Sequence, residues 1–90
     1  MVLRKGTAEG KTQAAGALWR LAFNPDNRVS IAKKGAIDPL IILLMNGTAA
    51  GKSIAAGALQ SLAVNADNRV SIENKGAIVP LISVLKDRTP

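Results

Sequence analysis

Residues 6–46 read GTAEGKTQAAGALWRLAFNPDNRVSIAKKGAIDPLIILLMN, and residues 47–87 read GTAAGKSIAAGALQSLAVNADNRVSIENKGAIVPLISVLKD. The two stretches have the same length, align without a gap and share 27 identical residues over 41 positions. Self-similarity at a fixed period of this size marks a stacked repeat architecture, in which a unit buries its face against its neighbour. The flanks extend the pattern. Val2-Leu3-Arg4-Lys5 matches Val84-Leu85-Lys86-Asp87, and Arg88-Thr89-Pro90 falls where Gly47-Thr48-Ala49 opens the second unit. The expected organisation is therefore two full units, 6–46 and 47–87. Residues 1–5 would end a preceding unit, and residues 88–90 would start a following one or form a tail.

Within one unit the spacing of apolar residues predicts three helices, over about residues 7–24, 26–34 and 37–45. Ala14, Ala15, Leu18, Leu21 and Ala22 recur at intervals of three and four, which draws one buried stripe along the first helix. Thr7 is a good N-cap for it. Pro25-Asp26-Asn27 is a stop-and-start signal for the second helix, with Lys33 and Lys34 in its last turn, where cations complement the helix dipole. Gly35 suits the left-handed residue that ends a helix. Pro39 falls in the first turn of the third helix, where its missing N–H costs little. Leu40, Ile41, Leu43 and Leu44 make that third helix the most buried. The second unit repeats every signal with Thr48, Asp67-Asn68, Gly76 and Pro80. No strand-like alternation occurs, so the fold class expected is all-α.

Composition removes several functions. The chain has 90 residues with neither His nor Cys. Disulfides, Cys or His zinc sites and His-dependent nucleophilic catalysis are excluded on those counts. The carboxylates sit in matching repeat positions or turns, so no general acid–base pair stands out, and no enzymatic activity or cofactor is expected. The longest apolar run, residues 40–45, is far too short to cross a membrane. No signal-peptide core opens the chain, which makes the cytoplasm or nucleus the expected location. GTAEGKT and GTAAGKS look like a phosphate-binding loop, but three residues separate their glycines where that loop needs four, and a helix precedes GTAAGKS where the loop needs a strand.

The net charge of +6, from 12 Lys and Arg against 6 Asp and Glu, raises nucleic acid as a partner. The basic residues are scattered through all segments, and with one Trp, one Phe and no Tyr there is no platform for stacking bases. A solvated surface that keeps an apolar chain in solution accounts for the charge more simply.

Residues 14–43 (AAGALWRLAFNPDNRVSIAKKGAIDPLIIL) resemble an armadillo repeat, and so do residues 55–85. The resemblance rests on the ALxxLA run, the following Asp-Asn, the Gly-Ala-Ile turn and the Pro-Leu-Ile run, each present twice at one spacing. It implies a right-handed α-solenoid, or superhelix, of three-helix repeats. The helices at 7–24 and 48–65 would line a concave groove for a protein or an extended peptide. Gln13, Gly16, Trp19, Arg20, Phe23, Ile54, Gly57, Gln60 and Ser61 would line that groove. Arg20 would favour an acidic partner. Peptide-clamping members of the family carry an Asn just before the apolar-Ala pair of this helix. Here the matching residues are Arg20 and Ser61, and the Trp that such members carry one turn earlier is Gly16 or Gly57.

Two further expectations concern single residues and ends. Trp19 has two readings, a groove-side anchor or packing against the next unit, and Gln60 in the second unit shows that it is not a regular repeat feature. Arg28 and Arg69 recur after Asp-Asn and read as bridges to a neighbouring helix end. Neither unit trades apolar for polar residues as a capping repeat does. Self-association is therefore expected, end to end or by helix exchange, through Leu40, Leu43 and Leu44 and their counterparts Leu81, Val84 and Leu85. Two alternatives to an interaction scaffold are a nucleic-acid-binding helical repeat and a unit made to study repeat stacking, with no ligand of its own. Divergence at 14 of 41 positions speaks against a consensus design.

Overall fold

The computed structural model describes residues 7–87. Helix α1 spans Ala8–Leu21, α2 Pro25–Lys33, α3 Ile37–Asn46, α4 Ala49–Leu62, α5 Ala66–Asn74 and α6 Ile78–Lys86, and the described residues contain no strand. The fold is all-α, as expected. The partial units expected at 1–5 and 88–90 lie outside the described residues.

Each helix boundary has a local chemical cause. Thr7 and Thr48 accept the amides of Gly10 and Gly51 at 3.0 Å and so satisfy one of the orphan donors at the starts of α1 and α4. A cap of this kind contributes about 0.5–2 kcal/mol. Helix α1 stops at Leu21, short of the expected residue 24, because Asn24 is needed elsewhere. Its side chain accepts the Asp26 amide at 3.0 Å and starts α2, with Pro25 at the first helical position. Asn65 starts α5 in the same way, accepting the Asn68 amide at 2.9 Å. Helices α2 and α5 run out onto Gly35 and Gly76, at φ 90° and 85°, a conformation only glycine adopts without strain. The Ala36 amide reaches Ile31 O at 3.3 Å and the Gly35 amide reaches Ala32 O at 3.0 Å, the paired bonds of a Schellman end.

Like helices pack on like. Helix α1 lies along α4 in the most extensive helix pair of the molecule, while α2 meets α5 and α3 meets α6. Helix α3 also packs along α4, which puts the core between them: Leu40, Leu44, Leu59 and Leu62 are the largest fully buried side chains. Burying such a side chain stabilises by about 1.5–3 kcal/mol. Leu40, Leu43 and Leu44 are thus core residues, not the self-association surface expected for them, because α4 and α6 cover the face they present.

Helix α1 meets α4 through small residues. Ala15 and Ala22 are fully buried at the contact. Beside them the Trp19 indole lies directly on the α4 backbone. A Cβ at Gly57 would sit 2.6 Å from both Cη2 and Cζ2 of the ring, so only glycine leaves room for it.

Polar side chains close the carbonyl ends of α1 and α4. Asn27 Nδ2 donates to Leu21 O at 2.9 Å, and Asn68 Nδ2 donates to Leu62 O at 3.1 Å. Arg28 adds Nε to Ala22 O at 2.6 Å and Nη2 to Phe23 O at 3.2 Å, which makes it the helix-end bridge the sequence suggested. Arg69, its counterpart, is exposed. Among the described residues one side-chain-to-backbone hydrogen bond crosses between units: Asn68 Nδ2 also donates to Arg28 O at 3.0 Å, from a residue that is almost fully buried.

Candidate functional site

The residues expected to line a groove lie on α1 and α4, except Phe23, which follows the end of α1, and the close packing of the two helices sorts them by depth. Gln13, Arg20, Phe23 and Gln60 are exposed, with Phe23 open over 64% of its surface. Gly16 and Ile54 are half-buried and face one another: a Cβ on Gly16 would lie 3.8 Å from Ile54 Cγ2.

Three expected residues go to the seam between the units. Gly57 is buried under the Trp19 ring, and Ser61 is buried as well. Neither can reach a partner. Their small size is what brings α4 close to α1, so their role is packing, and both are corrected on that ground. Trp19 is part-buried against the core, with its ring on Gly57. Of its two readings, packing against the next unit is the one found.

Val64 was missed. It occupies in the second unit the place Phe23 holds in the first, and it is equally open. Its signal was the repeat itself, since an exposed apolar residue at one position predicts one 41 residues on. The exposed face of α1 and α4 that remains is short and mixed: the Arg20 cation and the Gln13 and Gln60 amides stand among Phe23, Val64 and Leu21, the last 52% exposed.

Of the expected self-association residues outside the core, Leu81 and Val84 are part-buried against it, and Leu85 is open. The sequence missed Ile78, Val79 and Ile82, which join Leu85 to form the exposed apolar face of α6. For Ile78 and Ile82 the signal was that the matching residues of α3, Ile37 and Ile41, need a further helix to cover them; Val79 stands where the first unit has the exposed Asp38 and carried no such signal.

A cleft of about 320 Å³ opens between α2 and α5, with Val29, Asn65 and Ser71 in its walls. Lys75 Nζ and Asp38 Oδ1 meet at its rim, 3.1 Å apart and each about half exposed. A pair so open to water contributes on the order of 0.2–1 kcal/mol. The described residues contain no cluster of acidic side chains that could hold a metal ion, and none of their helices is long and apolar enough to cross a membrane. No protein-family model matches the chain, and no curated protein or solved structure matches it at a significant level.

Proposed function

We propose that the chain is a segment of an armadillo-type α-solenoid, a superhelical scaffold without enzymatic activity that holds a protein or an extended peptide against α1 and α4. The observation that carries this reading is the stacking of like on like, α1 on α4, α2 on α5 and α3 on α6. Repeated units that stack in one register generate a continuous surface from equivalent helices, and such surfaces are what solenoids use to bind. The exposed pair Phe23 and Val64, one from each unit, supplies apolar anchors in that register. Arg20 beside Phe23 gives the surface a cation, so the partner that fits best is an acidic segment carrying apolar side chains. With Arg20 and Ser61 in place of an amide, the grip on such a segment comes from side chains rather than from its backbone.

Selection from a display library of random short peptides tests this. The peptides recovered should be acidic with interspersed apolar residues, and Arg20→Glu together with Phe23→Ala should abolish their recovery. No enrichment, or enrichment unchanged by these exposed substitutions, would overturn the reading.

A further inference from the structure

The link between the two units has a chemistry of its own. Asn46 closes α3, Gly47 follows it, and Thr48 caps α4. The chain has six asparagines, and only Asn46 precedes a glycine. Asparagine is a thermolabile residue. It cyclises most easily before glycine, because no Cβ bars the next backbone nitrogen from its side-chain carbonyl carbon. Packing holds the glycine in place: a Cβ on Gly47 would sit 2.6 Å from Leu43 O and 2.8 Å from Leu43 Cδ1. The labile pair is thus built into the turn that stacks one unit on the next.

The other asparagines are restrained. Asn24 and Asn65 spend their side-chain oxygens on helix-start amides, and Asn27 and Asn68 donate to helix-end carbonyls. Asn74 is exposed, but Lys75 follows it and its Cβ stands in the way. Asn46 is exposed with a unit stacked after it, and its counterpart Asp87 is exposed with a unit stacked before it, so a neighbour on either side leaves the position open. The last turn of α3 carries no basic residue, and its final bond is the Gly47 amide to Leu43 O at 2.8 Å. That bond engages the nucleophile while the turn is closed. Reaction therefore waits on the opening of one helix end, which costs far less than global unfolding.

We propose that Asn46 is a self-modification site whose conversion loosens the joint between the units. This goes beyond the peptide-holding face and does not rest on it. When the last turn of α3 opens, the Gly47 amide nitrogen gives its proton to solvent and attacks Asn46 Cγ. The side-chain nitrogen, reprotonated by solvent, leaves as ammonia, and a cyclic imide closes. Water then opens the imide at either carbonyl, so the net exchange is one water taken up for one ammonia released. Opening at one carbonyl leaves an aspartate, the residue type the second unit carries as Asp87. That product fits, because Lys11 lines the same pocket as Asn46, just as Lys52 shares a pocket with Asp87. Opening at the other carbonyl leaves an isoaspartate, whose main chain runs through Cβ and is one carbon longer. That product does not fit, because the added carbon displaces Gly47 from its close seat on Leu43 and lengthens the link that holds α4 on α3.

Incubation of the full chain at neutral pH, followed by peptide mapping in a mass spectrometer, tests this. Asn46 should convert several-fold faster than Asn74, with both aspartate and isoaspartate formed. Its rate in the native chain, divided by its rate in denaturing urea, should exceed the globally unfolded fraction, since the opening is local. Gly47→Ala is unsuited because its methyl meets Leu43. Asn46→Gln, whose longer side chain cyclises far more slowly, blocks the reaction, and Asn46→Asp supplies the charge without the longer main chain. The aged wild-type chain should unfold at a lower urea midpoint, while aged Asn46→Gln and fresh Asn46→Asp stay close to the fresh wild type. Conversion no faster than at Asn74, or only as fast as global unfolding allows, overturns the inference. So does a chain converted at Asn46 that keeps its fresh midpoint. A fresh Asn46→Asp that falls as far as the aged chain does the same, because charge alone would then be the cause.

Discussion

Helices α3 and α6 are built on nearly the same pattern and live in opposite surroundings. Ile37, Ile41 and Leu44 of α3 are almost wholly out of water, whereas their counterparts Ile78, Ile82 and Leu85 of α6 are about half exposed or more. The difference is not in the residues but in what lies beyond them, since α3 has α4 and α6 as neighbours and α6 has no further layer among the described residues. Hydrophobic stabilisation follows area removed from water, so one sequence pattern is worth several kcal/mol in one unit and little in the other. A repeat protein spends identical residues unequally, and the inequality measures the neighbour.

The sharpest way to break that comparison is to delete the same side chain twice. Leu44 is 1% exposed and Leu85 is 72% exposed. Leu44→Ala should cost about 2–5 kcal/mol through lost transfer energy and an internal cavity. Leu85→Ala should stay within about 0.5 kcal/mol, as surface changes do. Urea denaturation at a concentration where the chain is monomeric measures both, and equal costs would mean that α6 is covered in solution.

Glycine 57 and glycine 16 extend the comparison to the seam, with a change of sign. A methyl on Gly57 meets the Trp19 ring at 2.6 Å, and Gly57→Ala should destabilise by about 1–3 kcal/mol as the ring is forced off the backbone. A methyl on Gly16 meets only Ile54 Cγ2 at an ordinary 3.8 Å, so Gly16→Ala should stabilise by up to about 1 kcal/mol through helix propensity. Thermal melts of the two variants, run side by side, should move in opposite directions.

A smaller contrast is expected between the two asparagines. Asn68→Ala removes two hydrogen bonds at a buried site and should cost about 1–2 kcal/mol. Asn27→Ala removes one exposed bond and should cost about half that. Chemical denaturation of both variants resolves the difference, and an equal cost would remove the special standing of the bond between units.

Most of the fold was legible because its signals are local. Thr7 and Thr48 cap where the pattern placed them, and Gly35 and Gly76 turn where a helix had to end. The displaced boundary, at Leu21 and again at Leu62, followed from competition: Asn24 and Asn65 could each extend one helix or open the next, and their side-chain oxygens on the Asp26 and Asn68 amides decided for the next. The site was less legible because periodicity gives the direction of a side chain around its helix but not the depth of what it meets. Ser61 and Arg20 hold the same register position, yet one is buried and the other exposed. Only the presence of α1 beside α4 separates them. The same blindness put Leu40, Leu43 and Leu44 on a surface, when α4 and α6 make them the core.

The ring of Trp19 on Gly57 has an optical consequence. It is the sole tryptophan of the chain, so all indole emission originates at the seam between the two units. Emission therefore reports whether the units are in register, while the far-ultraviolet signal of the helices reports whether they are formed. The two observables separate stacking from helix content, and their coincidence or divergence on heating is a direct reading of how cooperatively one repeat holds the next.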